Sequence, residues 1–303
     1  MKDGTRLGLG ELVAVWGLYA VVAAEVLVTY ARLPAEQLYN VSGSGLESGA
    51  GRALVFLGYP TSLAVIAFLP ILVERFDHPL ATLAALGSLG LCLTIGIPGV
   101  LDESDLDAKP ANALAGIGMG VVLFLTVLTI AHGGLGISAP FAGWDWARLG
   151  LGLVLLLASF PWLAAELGFH AGGPVFLSEQ LRPEPGHPDI RAVHLGHHHG
   201  MDGVLLALTA LLLSRVAPRM RRAGLRRALT AYLSLMLVYG LANALQDFWL
   251  EQLVKRGTTE LRVPSMLRPE VTPAWAAVLA AAGLIYVALS HVDKVHRPPR
   301  RNA

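Results

Sequence analysis

The chain concentrates metal-binding residue types in one short segment, residues 194–202, which reads His-Leu-Gly-His-His-His-Gly-Met-Asp. Imidazole nitrogens and carboxylate oxygens are the donors that Zn²⁺ and other divalent transition metals take in proteins. If the segment is helical, His194, His198 and Asp202 are spaced four residues apart and share one helix face. The pattern therefore predicts a metal site. The candidate ligands in this segment are His194, His197, His198, His199 and Asp202.

Further candidates lie near the ends of two apolar runs. Glu166 and His170 are four residues apart, and Asp247 stands between Asn243 and Glu251 at the same spacing. We predict that His170 is an additional metal ligand. A divalent metal lowers the pKa of a bound water toward about 7, and a nearby carboxylate then serves as general base or acid. Glu166 and Asp247 are the candidate catalytic carboxylates, and either could instead orient a ligand histidine.

The composition indicates which elements position these residues. Hydrophobic residues make up 54% of the 303 and charged residues only 15%, whereas soluble domains carry about 25% charged residues. The apolar runs are continuous rather than alternating, which excludes a porin-like barrel. We predict one integral membrane domain, residues 1–303, folded as an all-α polytopic transmembrane bundle of about eight spans. The spans are about Leu7–Tyr30, Arg52–Val73, Leu80–Val100, Asn112–His132, Arg148–Phe169, His197–Val216, Leu225–Glu251 and Pro273–Ser290.

Basic residues predict the orientation of the bundle. The connector after the sixth span holds six arginines and no acid, and both chain ends are also basic. By the positive-inside rule these three clusters are cytoplasmic, and the same rule accounts for the arginines without a nucleic-acid partner. The outer connectors are then 31–51, 101–111, 170–196 and 252–272. The histidine cluster 194–199 lies where the outer loop 170–196 meets the start of span six. We expect the membrane to be a prokaryotic plasma membrane and the cluster to face its outer side.

Acidic residues collect at the same predicted level. Glu25, Glu166 and Asp247 fall near outer ends of spans, and the connector at 101–107 holds four carboxylates. Placing an ionisable group in the bilayer costs about 2.5–3.5 kcal/mol on insertion scales. These side chains are therefore expected to face the bundle interior and one another.

Two membrane families are similar in part. The element His194-x-x-His197-His198 resembles a histidine box of membrane di-iron desaturases and hydroxylases, but those carry three boxes on the cytoplasmic side. Seven-span zinc hydrolases of the ceramidase and progestin-receptor type also hold a histidine and aspartate metal site inside a helical bundle, but their motif order is not matched here. Neither resemblance assigns the chain to a family.

Several functions are compatible with these patterns. The first is a metal-dependent membrane enzyme at the outer face, either a zinc hydrolase that acts on a membrane lipid or another amphiphilic small molecule or, as the second choice, an iron oxygenase. The alternatives are a di-iron or haem oxidoreductase, a metal or proton transporter, and a non-catalytic assembly subunit. Transport needs a polar path to the cytoplasm, and most spans lack ionisable residues at mid-depth, which favours the enzyme. The oligomeric state is not indicated.

Overall fold

The computed structural model describes residues 9–38, 41, 48–76, 78–97, 108–133, 141, 143–171, 179–184 and 187–295. Within these residues the chain forms ten α-helices and one antiparallel β-hairpin. The acidic connector 101–107 and the basic chain ends at Lys2, Arg6 and 296–303 lie outside the described residues. The elements are α1 (Gly10–Arg32), α2 (Gly49–Ile66), α3 (Leu69–Phe76), α4 (Pro79–Cys92), α5 (Asn112–Gly133), α6 (Asp145–Ala158), α7 (Phe160–Glu166), β1 (Leu181–Glu184), β2 (His187–Arg191), α8 (His199–Leu213), α9 (Ala223–Trp249) and α10 (Pro273–Val295).

The helices are those of an integral membrane protein. Of the described residues, seven helical segments are long and apolar enough to cross a membrane, and the bent pair α6 and α7 makes up to eight. An apolar helix of about 20 residues matches the hydrocarbon thickness of a bilayer. The prediction of an all-α bundle with about eight spans is confirmed.

Two predicted spans are not continuous helices. The second is interrupted at Ala67 and Phe68, where the Leu63 carbonyl accepts a 2.8 Å hydrogen bond from the Tyr232 hydroxyl. The fifth bends by 54° between α6 and α7. Pro161 stands in the first turn of α7, where its missing N–H leaves no intrahelical bond unmade. The bend brings Trp162 and Glu166, both on α7, into the protein interior.

Helix α8 is the central element of the bundle, because it contacts α1, α2, α6, α7 and α9. Its closest approach is to α9, where Gly203 faces Gly240. A Cβ at Gly203 would collide with the Gly240 carbonyl oxygen, and a Cβ at Gly240 would come within 2.5 Å of the Gly203 carbonyl oxygen. Small residues permit this approach of two backbones, as is common between membrane helices.

Charged residues mark one end of the bundle, which we call the arginine end. Arg215 lies 3.5 Å from Glu11 and 3.2 Å from Asp145. Glu74 accepts hydrogen bonds of 2.6 and 3.1 Å from the backbone N–H groups of Arg221 and Arg222. The histidine cluster lies at the opposite end, the histidine end, where α1, α7 and α9 finish and α2 and α8 begin.

Candidate metal centre

The loop before α8 is held in a non-helical path. His198 is the N-cap of α8, with an extended backbone at φ −130°, so the helix includes neither His194 nor His198. Gly196 has φ +100°, and its N–H donates to the Ala165 carbonyl at 2.9 Å. A Cβ there would lie 2.6 Å from the Tyr30 hydroxyl, so glycine fits both the backbone angle and the space. The predicted helical register of the cluster is therefore wrong.

Three donors nevertheless converge at the histidine end. His194, His198 and Glu251 each offer one ligand atom, and these atoms lie within 4.8 Å of one another. The rings of His194 and His198 are stacked with centroids 4.1 Å apart and an interplanar angle of 11°. His198 Nδ1 lies 3.0 Å from Glu251 Oε1. The group could hold a metal ion.

The hydrogen bonds of His198 determine which ring nitrogen faces the group. Its Nε2 lies 2.9 Å from the His194 carbonyl oxygen, which can only accept, so Nε2 carries the hydrogen. In a neutral ring Nδ1 would then present a lone pair to the Glu251 carboxylate, which is unfavourable unless a cation lies between them. Burial lowers the pKa of His198, but Glu251, Asp247 and the hydrogen bond to the His194 carbonyl act against it, and the net pKa is raised. A proton or a metal ion therefore belongs at Nδ1.

Neighbouring groups fix the orientation of this set. The Trp162 indole Nε1–H donates to Glu251 Oε2 at 2.8 Å, and both side chains are buried. Such outer contacts orient metal ligands and raise their affinity. Asp247 Oδ2 accepts a 2.7 Å hydrogen bond from the Gly200 N–H at the start of α8. Asp247 also lies within electrostatic reach of Glu251 and His198, which places a second carboxylate beside the three donors.

A separate buried set surrounds His197. Its Nδ1 lies 2.8 Å from Glu166 Oε1 and its Nε2 lies 2.8 Å from Asp202 Oδ2. Its backbone N–H donates to the Tyr30 hydroxyl, and its ring stacks on Phe56 with centroids 4.9 Å apart. Burial opposes the charge, but Asp202 and Glu166 raise the pKa of His197 to about 10. His197 is therefore clamped between Glu166 of α7 and Asp202 of α8, and each of its ring nitrogens faces a carboxylate oxygen.

His170 lies outside both sets. Arg191 Nη1 is 3.0 Å from its Nε2, and because a guanidinium only donates, that nitrogen is an acceptor already in use. Its Nδ1 lies 3.6 Å from Glu179. Burial and then Arg191 lower the pKa of His170, consistent with a neutral ring. His199 is the half-buried first residue of α8, within electrostatic reach of His194 and Asp247.

Two members of the centre, Glu251 and Trp162, are not predicted from the sequence. Glu251 follows Asp247 by four residues, and that spacing is a usable signal for a second carboxylate on the same helix face. Of the two, only Asp247 is among the predicted site residues. Beyond Trp249 the chain continues as a π-helical turn, Leu250–Val254, which carries Glu251. Trp162 gave no signal, because its position depends on the bend between α6 and α7.

The chain matches no protein-family model, no curated protein and no solved structure. The function is therefore inferred from the chain's own residues and their geometry.

Proposed function

We propose that the protein is a metal-dependent integral membrane enzyme in which His194, His198 and Glu251 hold a divalent transition metal. The carrying observation is that these donors converge while His198 and Glu251 are each oriented by a further hydrogen bond. Two histidines and one glutamate with an open position form a ligand set of catalytic zinc sites, whereas structural sites use four protein ligands. Zinc is the first candidate and iron the second.

Hydrolysis is the reaction that this set supports best. A divalent metal held by this set would supply an acidified water, and a carboxylate beside it would accept the proton. Asp247 is suited to this role because it lies next to the donors and is oriented by the hydrogen bond that its Oδ2 accepts from the Gly200 N–H. Glu166 is less suited, because it is fully buried against His197. We therefore assign the general base to Asp247 and a structural role to Glu166.

The position of the centre supports an amphiphilic substrate. Its residues come from the ends of membrane-crossing helices, so both water and the headgroup layer lie at the same level. Phe160 and Leu167, on and just beyond α7, are 52% and 43% exposed, so an apolar surface adjoins Trp162. A lipid or another amphiphile could approach along this surface with its polar group toward the donors.

Metal analysis of the purified protein tests the proposal. We expect about one zinc or iron per chain, and a strong loss of metal in His198→Ala and Glu251→Gln. Trp162→Phe should retain the site but weaken metal affinity by about 10-fold, because it removes only the orienting hydrogen bond. His170→Ala is the matched control, since that histidine is engaged by Arg191, and it should bind metal as the unsubstituted protein does.

The same measurement has a contradicting outcome. If the protein takes up no stoichiometric metal when incubated with Zn²⁺ or Fe²⁺, the His198 and Glu251 contact is a buried ion pair. The chain would then fit a non-catalytic assembly subunit. Retention of iron instead of zinc would redirect the proposal from a hydrolase to an oxidoreductase.

A further inference from the structure

The chain turns back along α9 just after the candidate metal ligand Glu251. The π-helical turn Leu250–Val254 carries Glu251 and is closed by a 2.8 Å backbone hydrogen bond to the carbonyl of its first residue. Gly257 follows with φ +73°, a left-handed backbone angle that glycine adopts without strain. The segment 259–267, which the structure describes throughout, is neither helix nor strand. We call this segment the strap.

Two side chains of α9 hold the strap next to the π-helical turn. The Trp249 indole N–H donates to the Leu261 carbonyl at 2.8 Å, and Gln246 Oε1 accepts a 2.7 Å hydrogen bond from the Met266 N–H. Both α9 side chains are half-buried. Because the two contacts fix backbone atoms of the strap, they also fix the path by which the chain leaves the turn.

A third contact holds the far end of the strap. The Tyr239 hydroxyl donates to the Leu267 carbonyl, and the Tyr59 hydroxyl of α2 lies 3.0 Å from the Tyr239 hydroxyl. At a rise of about 1.5 Å per residue, Tyr239 lies about 18 Å along the helix from Glu251, whereas Trp249 lies about 3 Å from it. The strap therefore has one anchor beside the metal donors and another that is remote from them.

The order of residues along α9 links the strap to the candidate centre. Gln246 and Trp249 contact the strap, whereas Asp247 and Glu251 contact the start of α8. A π-helical turn is rare and is found mostly at functional sites, because α-helical bonding is the usual winding of the chain. A change to that winding would rotate the chain beyond Leu250 by up to about 100°, the angle of one residue. Glu251 would then turn away from its present partner on α8.

We propose that Gln246 and Trp249 are positioning residues that act through the strap to hold the π-helical turn and so keep Glu251 aimed at His198. This inference rests on the proposed function, and it gives the strap control over metal coordination at that site. When the two contacts are lost, the turn takes the α-helical winding and Glu251 leaves the metal. The metal is then held by the two histidines and by solvent.

Cobalt spectroscopy of the full-length protein tests this inference. Co²⁺ takes the same nitrogen and oxygen ligands as zinc, and its visible absorption depends on the number and geometry of those ligands. Trp249→Phe and Gln246→Leu should each change the spectrum and weaken Co²⁺ binding by about 2–10-fold, the range for one lost neutral hydrogen bond. Gln246→Glu keeps an acceptor oxygen for the Met266 N–H, so it should restore the spectrum of the unsubstituted protein.

Tyr239→Phe is the matched control, because it removes a hydrogen bond to a strap carbonyl at the remote anchor. It should leave the cobalt spectrum and the Co²⁺ affinity unchanged. An equal change in Tyr239→Phe would indicate a general loosening of this surface and would overturn the inference. An unchanged spectrum in either Trp249→Phe or Gln246→Leu would overturn it as well, while the proposed function would stand. Protein that binds no Co²⁺ and no zinc overturns the proposed function and this inference with it.

Discussion

At the residue scale, the loop before α8 determines which side chains meet at the centre. His194 and His198 are stacked together through this loop and not along a helix face. Asp202 was assigned to the same face and instead pairs with His197. The difference arises because Gly196 leaves the helical region and contacts α1 and α7. Tertiary contacts of this kind are not visible in residue spacing.

The His197 clamp gives a prediction about stability. His197→Ala would leave the carboxylates of Glu166 and Asp202 buried without their counter-charge, so we expect the free energy of unfolding to fall by about 3–5 kcal/mol. Glu166→Gln keeps the pair with Asp202 and should cost less, about 1.5–3 kcal/mol. Reversible unfolding in mixed micelles measures both, with His170→Ala as the control.

The contradicting result concerns the role of His197. If His197→Ala unfolds at the same denaturant concentration as the unsubstituted protein, the clamp does not stabilise the fold. If its cost disappears when a chelator is present in both samples, His197 acts as a metal ligand, as its sequence position first indicated.

At the scale of elements, hydropathy predicted the spans but not how they bend or pair. Eight apolar runs follow from the bilayer thickness, and the described helices agree with about eight crossings. Pro161 indicates a break in the helix, but a proline does not specify the direction of a bend. Here the bend brings the Trp162 indole into hydrogen-bonding contact with Glu251. The close packing of α8 against α9 depends on Gly203 and Gly240. The sequence alone does not show that these two glycines face each other.

The glycine contact gives a prediction that links packing to the site. Gly203→Ala places a methyl group against the Gly240 carbonyl oxygen and the Ala244 nitrogen, which are backbone atoms and cannot swing aside. We expect α8 and α9 to separate slightly, at a cost of about 1–3 kcal/mol in unfolding free energy. Because His198 precedes α8 and Glu251 follows α9, zinc affinity should weaken as well.

Gly283→Ala is the matched control for this substitution, because an added Cβ on that α10 residue meets nothing within 4 Å. It should leave zinc affinity unchanged. Equal affinity in Gly203→Ala, measured by competition with a chromophoric chelator, would show that the metal donors do not depend on this helix contact.

At the scale of the whole molecule, the distribution of charged residues predicts how the protein is oriented in the membrane, and the fold shows which residues lie at each end. The arginine end is built from ion pairs such as Arg215 with Glu11 and Asp145, while the histidine end holds the candidate centre. The two ends are separated by the length of the membrane-crossing helices. The positive-inside rule then predicts that the arginine end is cytoplasmic and the histidine end external.

Cysteine labelling tests this orientation in intact cells. The native Cys92 is buried and is replaced by alanine, and single cysteines are introduced at His187 in β2 or at Arg222 before α9. A membrane-impermeant maleimide should label position 187 from outside, and it should label position 222 only after the membrane is opened. This pattern would give a hydrolytic centre access to external water and to the outer leaflet. The reverse pattern would place the centre at the cytoplasmic face of the membrane. Because the di-iron families carry their histidine boxes on that side, this result would favour iron over zinc.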